Sequence, residues 1–276
     1  MKNLVSPEYL FDNINKVVII DATNNFMIPT EGIEKYKARH IPGAFHIDLR
    51  NDMSREVTEH GGRDPLPHNM EDFKAKLEEY GISTGSEIIV YDEDIVPASR
   101  FWWMCKYIGL DNVRLLDGGI NAWIENGFSL SAVVPSLPQR GNIEMKFDSE
   151  IIADIDDIRR AINDEQVLII DSRSSVRYKG EEEPIDKKAG HIPTAKNYFY
   201  EGVLEQDGKY RRPGYLKEHF KGVEKYKEVI CQCGSGVSAP VNIIALDEIG
   251  IKAKLYVGSW SDYITYDDSL IAVGEQ

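Results

Sequence analysis

Four short stretches of the chain are apolar without interruption. Val17-Val18-Ile19-Ile20-Asp21 and Val167-Leu168-Ile169-Ile170-Asp171 each end in a carboxylate, and Glu87-Ile88-Ile89-Val90-Tyr91-Asp92 and Glu228-Val229-Ile230-Cys231-Gln232-Cys233 each open on a glutamate. A strand with one face in water alternates apolar and polar residues. These four do not, so the pattern predicts strands buried on both faces, as in a parallel sheet covered by helices. Helical patterning lies between them, for example over Asp72 to Tyr80 and Ala239 to Glu248. The pattern therefore predicts α/β architecture.

The pattern also repeats. Arg39-His40-Ile41-Pro42-Gly43-Ala44 is matched by Gly190-His191-Ile192-Pro193-Thr194-Ala195, and Leu116-Asp117-Gly118-Gly119 by Tyr256-Val257-Gly258-Ser259. With the strand pairs above, this makes four correspondences in one order, which is the mark of a duplication. Val134-Pro135-Ser136-Leu137-Pro138-Gln139-Arg140-Gly141 carries Pro and Gly without periodicity and reads as the connection. The expected organisation is one domain over residues 1–135, a linker over 136–148 and a second domain over 149–276. A chain of 276 residues is ample for two such cores.

The strongest local signal for chemistry is Cys233-Gly234-Ser235-Gly236-Val237-Ser238. A buried strand runs into a small, glycine-rich loop, and a helix follows at about Ala239 with Pro240 in its first turn. Ligands of open parallel sheets bind beyond the carboxyl ends of the strands. The glycines let backbone N–H groups turn towards the cysteine sulfur, where they and the helix start favour an anion. Such a cradle favours the thiolate, the nucleophilic form. Alone, Cys233 would read as a small buried hydrophobe; its strand–loop–helix setting reverses that. Cys231 and Cys105 are assigned to packing, although Cys231 and Cys233 are close enough in sequence to form a redox pair. The first copy has Asp92 in place of Cys233, followed by Glu93-Asp94-Ile95-Val96-Pro97 with no glycine, so its domain is expected to be inactive.

Charge narrows the partners. The net charge is −14, a field that repels nucleic acid and anionic membrane surfaces. No apolar run approaches the roughly 20 residues that span a bilayer, and the first residues lack the apolar core of a signal peptide. The expectation is a cytoplasmic protein. Three cysteines in such a chain argue against a disulfide framework, and no Cys/His cluster has zinc spacing, so no metal and no cofactor are expected.

The Cys233 to Ser238 loop resembles the active loop of two-domain rhodanese sulfurtransferases, the mercaptopyruvate branch in particular. His40 to Ala44, Leu116 to Gly119 with Ala122-Trp123, and Gly258 to Ser261 resemble further family elements, so the likeness spans nearly the whole chain. It implies two tandem rhodanese-like domains, the second active. It implies a Cys233 persulfide that carries sulfur from a small anionic donor to cyanide or a thiol. Arg177 matches the family's substrate-anion arginine, and Ser235 could hydrogen-bond the donor or its leaving group. His40 matches a histidine given a proton-relay role with that serine; its other reading is a structural histidine fixing the Ile41-Pro42-Gly43 turn. The neutral Gly234 and Ser235 point to 3-mercaptopyruvate. The position of that branch's second arginine holds Asp186 instead, with Lys187 and Lys188 beside it, and this tips the expectation to thiosulfate. A cysteine phosphatase would need an arginine six positions after the cysteine, where Ala239 stands. A non-catalytic interaction module fits the first domain but not the second, whose loop is intact.

Overall fold

The apolar runs become the central strands of two five-stranded sheets in the computed structural model, which describes residues 1–25 and 28–275. In the first sheet β1 (Leu4–Val5), β2 (Val18–Asp21), β3 (Phe45–His46), β4 (Ile88–Tyr91) and β5 (Val113–Leu116) lie in the order β1-β5-β4-β2-β3, all parallel. Helices α1 (Pro7–Asn13), α2 (Glu31–Ala38), α3 (Glu71–Glu79), α4 (Val96–Tyr107) and α5 (Gly119–Glu125) belong to the same half. The second sheet repeats the permutation as β6-β10-β9-β7-β8, again all parallel. Its strands are β6 (Ile152–Ala153), β7 (Val167–Asp171), β8 (Lys196–Asn197), β9 (Glu228–Gln232) and β10 (Lys254–Tyr256). Its helices are α6 (Ile155–Ala161), α7 (Ser175–Lys179), α8 (Pro213–His219), α9 (Ala239–Glu248) and α10 (Ser259–Tyr263). Parallel neighbours need long crossovers, and the intervening helices supply them. β4 and β7 are buried at every position, as strands covered on both faces must be.

Each sheet has its own core. Leu10, Ile19, Ile89, Leu116 and Trp123 pack in the first unit, and Ile158, Ile169, Ile230, Trp260 and Tyr263 in the second. Among the described residues no helix is long and apolar enough to cross a membrane.

The units are not divided as the sequence suggests. The first comprises residues 1–55, 66–148 and 206–210; the second comprises 56–65, 149–205 and 211–276. The segment expected to link them, 136–148, belongs to the first unit. Glu78, at the end of α3, accepts the N–H of Gly141 on its carbonyl and that of Ile143 on its carboxylate, and Lys146 and Asp148 donate to Ile108 and Tyr107. These contacts satisfy an irregular backbone that has no periodicity of its own to reveal it.

Candidate functional site

β9 delivers Cys233 to the carboxyl end of the second sheet, where the residue is 1% exposed. The start of the following loop is stitched to α10. The carbonyls of Cys233 and Gly234 accept the N–H groups of Trp260 and Ser261 at 3.0 and 2.9 Å. Cys233 donates its own N–H to Ser259 Oγ at 3.1 Å. The Ser259 hydroxyl donates to the Tyr256 carbonyl at 2.8 Å, and its oxygen lies 4.0 Å from Cys233 Sγ. Gly236 turns the loop at φ +76°, and α9 begins at Ala239. Among the described residues, the N–H groups of Gly234, Ser235, Val237 and Ser238 donate to no protein acceptor. A loop with that many unspent donors beside a sulfur is built for negative charge.

The first unit solves the same problem differently. Asp92 follows β4 as Cys233 follows β9, and its carboxylate accepts the N–H groups of Asp94 at 3.0 Å, of Ala98 at 2.8 Å and of Ile95. The donors of this loop are thus capped by a built-in carboxyl group. Burial, and then repulsion from Asp94, push the Asp92 carboxyl above its ordinary range, against the pull of those N–H groups.

Ser235 Oγ donates to Asp64 Oδ2 at 2.5 Å. Asp64 comes from residues 56–65, a strap of the same unit. Backbone groups hold the strap down: Gly61 N–H donates to Asp262 at 2.6 Å and Arg63 N–H to Ser261 Oγ at 3.0 Å. His60 stacks on Tyr266 with centroids 4.2 Å apart. Gly62 sits at φ +79°, where a Cβ would come within 2.4 Å of the Gly258 carbonyl oxygen, so only glycine permits this approach.

Arg177, on α7, grips Glu183 through Nε and Nη2 and reaches Asp186 with Nη2 at 3.0 Å. Burial pushes the Glu183 carboxyl up, but Arg177 and the N–H groups of Asp186 and Ile185 outweigh it and hold it below its ordinary value. Arg63, from the strap, pairs with the same Asp186. A Cβ on Gly234 would lie 2.9 Å from Arg63 Nη2 and 3.6 Å from both Nη atoms of Arg177. Two guanidiniums therefore stand over the residue after Cys233. The positive charge comes from Arg63, while Lys187 and Lys188 are exposed. Arg173 is internal: it is 3% exposed, pairs with Asp171 at 2.7 Å and lies over the Trp260 ring.

The structure thus brings Cys233, Ser235 and Arg177 together and adds Arg63, Asp64 and Ser259, which sequence reasoning missed. The adjacent charges in Gly61-Gly62-Arg63-Asp64-Pro65 were the available signal. Cys231 is fully buried, and burial, with Cys233 close by, pushes its thiol up, which suits packing. His40 belongs to the first unit. It is fully buried, stacks on Tyr36, and places Nδ1 2.7 Å from the Tyr36 carbonyl and Nε2 3.2 Å from that of Val133. His191 repeats the plan, stacked on Tyr178 with Nδ1 2.7 Å from its carbonyl.

The model of the rhodanese-like domain matches residues 6–126 and 154–265. A probable 3-mercaptopyruvate sulfurtransferase of Pseudomonas aeruginosa is 34% identical over 94% of this chain and 93% of its own. A putative thiosulfate sulfurtransferase of Mycobacterium tuberculosis is 35% identical over 84% and 83%. The crystal structure of SseA from Escherichia coli, a 3-mercaptopyruvate sulfotransferase, superposes with a TM-score of 0.80 at 30% identity, covering 95% of this chain and all of its own.

Proposed function

Since this chain belongs to the rhodanese-like domain family, we propose that it is a sulfurtransferase that carries sulfur as a persulfide on Cys233. The observation that carries the reading is the set of unspent N–H groups in the loop that follows Cys233, with two arginines at its Gly234. The thiolate attacks the outer sulfur of the donor. A sulfur–sulfur bond forms on Cys233, and the bond from that sulfur to the rest of the donor breaks. The persulfide is anionic one atom further out, where the loop donors can hold it. A thiolate or cyanide then attacks the outer sulfur and regenerates Cys233, a double displacement.

Thiosulfate needs no proton in the first half: a dianion enters and sulfite leaves with two charges. With 3-mercaptopyruvate the donor's thiol proton must end on the methyl carbon of pyruvate. Ser235, hydrogen-bonded to Asp64, is the hydroxyl placed to shuttle it. This pair tips our reading to 3-mercaptopyruvate; Asp186, in place of the second arginine of that branch, favours thiosulfate as the second donor. We assign His40 to architecture, because its twin His191 shares its tyrosine stacking and its Nδ1 contact with that tyrosine's carbonyl. We take the first domain to be silent, because Asp92 fills its loop. We place the activity in the cytoplasm, where a free thiol persists.

The test compares wild type and Cys233→Ser with each donor and cyanide as acceptor. The wild type gains the mass of one sulfur atom after donor treatment and turns over; Cys233→Ser does neither. Full turnover by Cys233→Ser sinks the reading.

A further inference from the structure

Asp186 is a bridge between two arginines. Its Oδ1 faces Arg63 Nη1 and its Oδ2 faces Arg177 Nη2, and its side chain is only 3% exposed. Glu183 takes the remaining Nε and Nη2 contacts of Arg177. Among the described residues this leaves Arg63 Nε and Nη2 and Arg177 Nη1 without a protein acceptor. Arg63 Nη2 and Arg177 Nη1 are also among the atoms that approach Gly234 most closely, at 2.9 and 3.6 Å from its would-be Cβ. The unengaged Arg63 Nη2 and Arg177 Nη1 thus converge at Gly234, the residue after Cys233, while Arg177 Nη2, equally near, is held by Glu183 and Asp186. Their side chains stay 34% and 16% exposed, whereas that of Arg173 is 1% exposed. They are reachable from solvent; Arg173 is not.

We propose that Arg63 is the second arginine of the donor site, clamped by Asp186 so that it and Arg177 together hold the anionic oxygens of the sulfur donor. This deepens the persulfide reading and rests on it. It gives Asp186 a purpose: the residue orients two forks instead of supplying a third cation. It also explains the bare Gly234, since any side chain there would occupy the space the guanidiniums need. The ligand chemistry is a carboxylate or sulfonyl-type oxyanion at the opposite end of a small molecule from its transferable sulfur. Thiosulfate and 3-mercaptopyruvate both satisfy it. Guanidinium forks suit such groups because they meet two oxygens at once.

The strap is docked by the backbone N–H groups of Gly61 and Arg63 and by Asp64, so removing the Arg63 side chain leaves those anchors in place. This makes Arg63→Gln a fair probe. Three donors are compared on the full chain: thiosulfate, 3-mercaptopyruvate and the persulfide of an uncharged alkyl thiol. In the last, Cys233 attacks the outer sulfur and a neutral-bodied thiolate leaves, so the transfer balances without an oxyanion. Arg63→Gln is expected to raise the KM of the oxyanion donors at least about tenfold, the scale of one lost charge-assisted hydrogen bond. The KM of the uncharged persulfide should rise at least about tenfold less. Equal rises with both oxyanions mean that Arg63 holds what they share; a rise confined to one names the donor. An equal rise with all three donors, or none with either oxyanion, overturns the proposal. If Arg63→Gln fails to fold, Arg63→Lys replaces it. The lysine keeps the charge opposite Asp186 but loses the fork, and must still raise the oxyanion KM about threefold; no rise overturns the proposal. Activity in Cys233→Ser would overturn the parent reading instead, so the two failures are distinguishable.

Discussion

Ser259 Oγ accepts the N–H of Cys233 at 3.1 Å, and Ser259 holds φ +54° to do so. Its counterpart in the first unit is Gly119, at φ +58°. The glycine adopts that backbone at little cost; the serine pays strain of about 1 kcal/mol or more and gains an acceptor for a buried donor. Ser259→Ala keeps the strain and strands the Cys233 N–H, so it is expected to cost about 1–3 kcal/mol in urea unfolding. Ser259→Gly relieves the strain and should be the more stable of the two. Both are expected to lower kcat, because Cys233 loses its tether.

Gly62→Ala tests the strap. The added methyl would meet the Gly258 carbonyl, which is backbone and cannot turn away, in a left-handed conformation that alanine resists. The strap should lift and take Arg63 and Asp64 with it. The expected outcome is a loss of kcat/KM of at least about tenfold with melting lowered only modestly. Gly85→Ala, where a methyl meets nothing within 4 Å, is the control and should leave both unchanged.

Glu183 sets an acid limit. Its carboxyl is held below the ordinary 4.5 in the folded chain. The unfolded chain therefore takes up the proton first. The stabilisation is complete above that ordinary value and disappears as pH falls through the depressed folded one. Below pH 4.5, wild type should lose melting temperature more steeply than Glu183→Gln. At neutral pH, Glu183→Gln should melt lower and raise donor KM, since Arg173 and Arg177 both lose a carboxylate partner.

Asp92→Ala opens the plugged loop of the first unit. Three N–H groups lose their acceptor, for a cost of about 1–3 kcal/mol or more in urea unfolding. Asp92→Cys is expected to give no second persulfide. Peptide mass spectrometry after donor treatment should find the extra sulfur on Cys233 alone, because the residues after Asp92 include no glycine to shape a sulfur-sized cradle.

His40→Ala separates support from chemistry. The ring is fully buried, stacked and hydrogen-bonded, so its removal should cost about 2–4 kcal/mol. Per folded molecule, kcat and its pH profile should stay those of wild type. A changed pH profile with 3-mercaptopyruvate would restore the relay role.

The continuous apolar runs were legible because a two-sided burial leaves no other pattern. β7 spans Val167–Asp171 as read, and α9 spans Ala239–Glu248. The two-residue strands β1, β3, β6 and β8 were not legible, since two residues carry no period. Cys233 and its loop were legible because chemistry and backbone signals coincide within six consecutive residues. Arg63 and Asp64 were not. Asp64 reaches Ser235 across a separation of 171 residues, and an irregular strap held by its own N–H groups leaves no trace in hydropathy. The same physics misled the reading of 136–148. Proline and glycine mark a segment without periodicity, but Glu78 shows that such a segment can be fastened down.

The exchange of residues 56–65 and 206–210 between the two units changes what the duplication means. Two copies of one ancestral gene could once have been cut apart between their sheets, each piece complete. Here no single cleavage of the chain yields two whole units. A break at residue 148 would leave the strap on the wrong fragment, and the fragment bearing Cys233 would be without Asp64 for Ser235 and without Arg63 for Asp186. The second unit thus depends on ten residues that lie within the first half of the chain, a tie that keeps the two halves on one polypeptide.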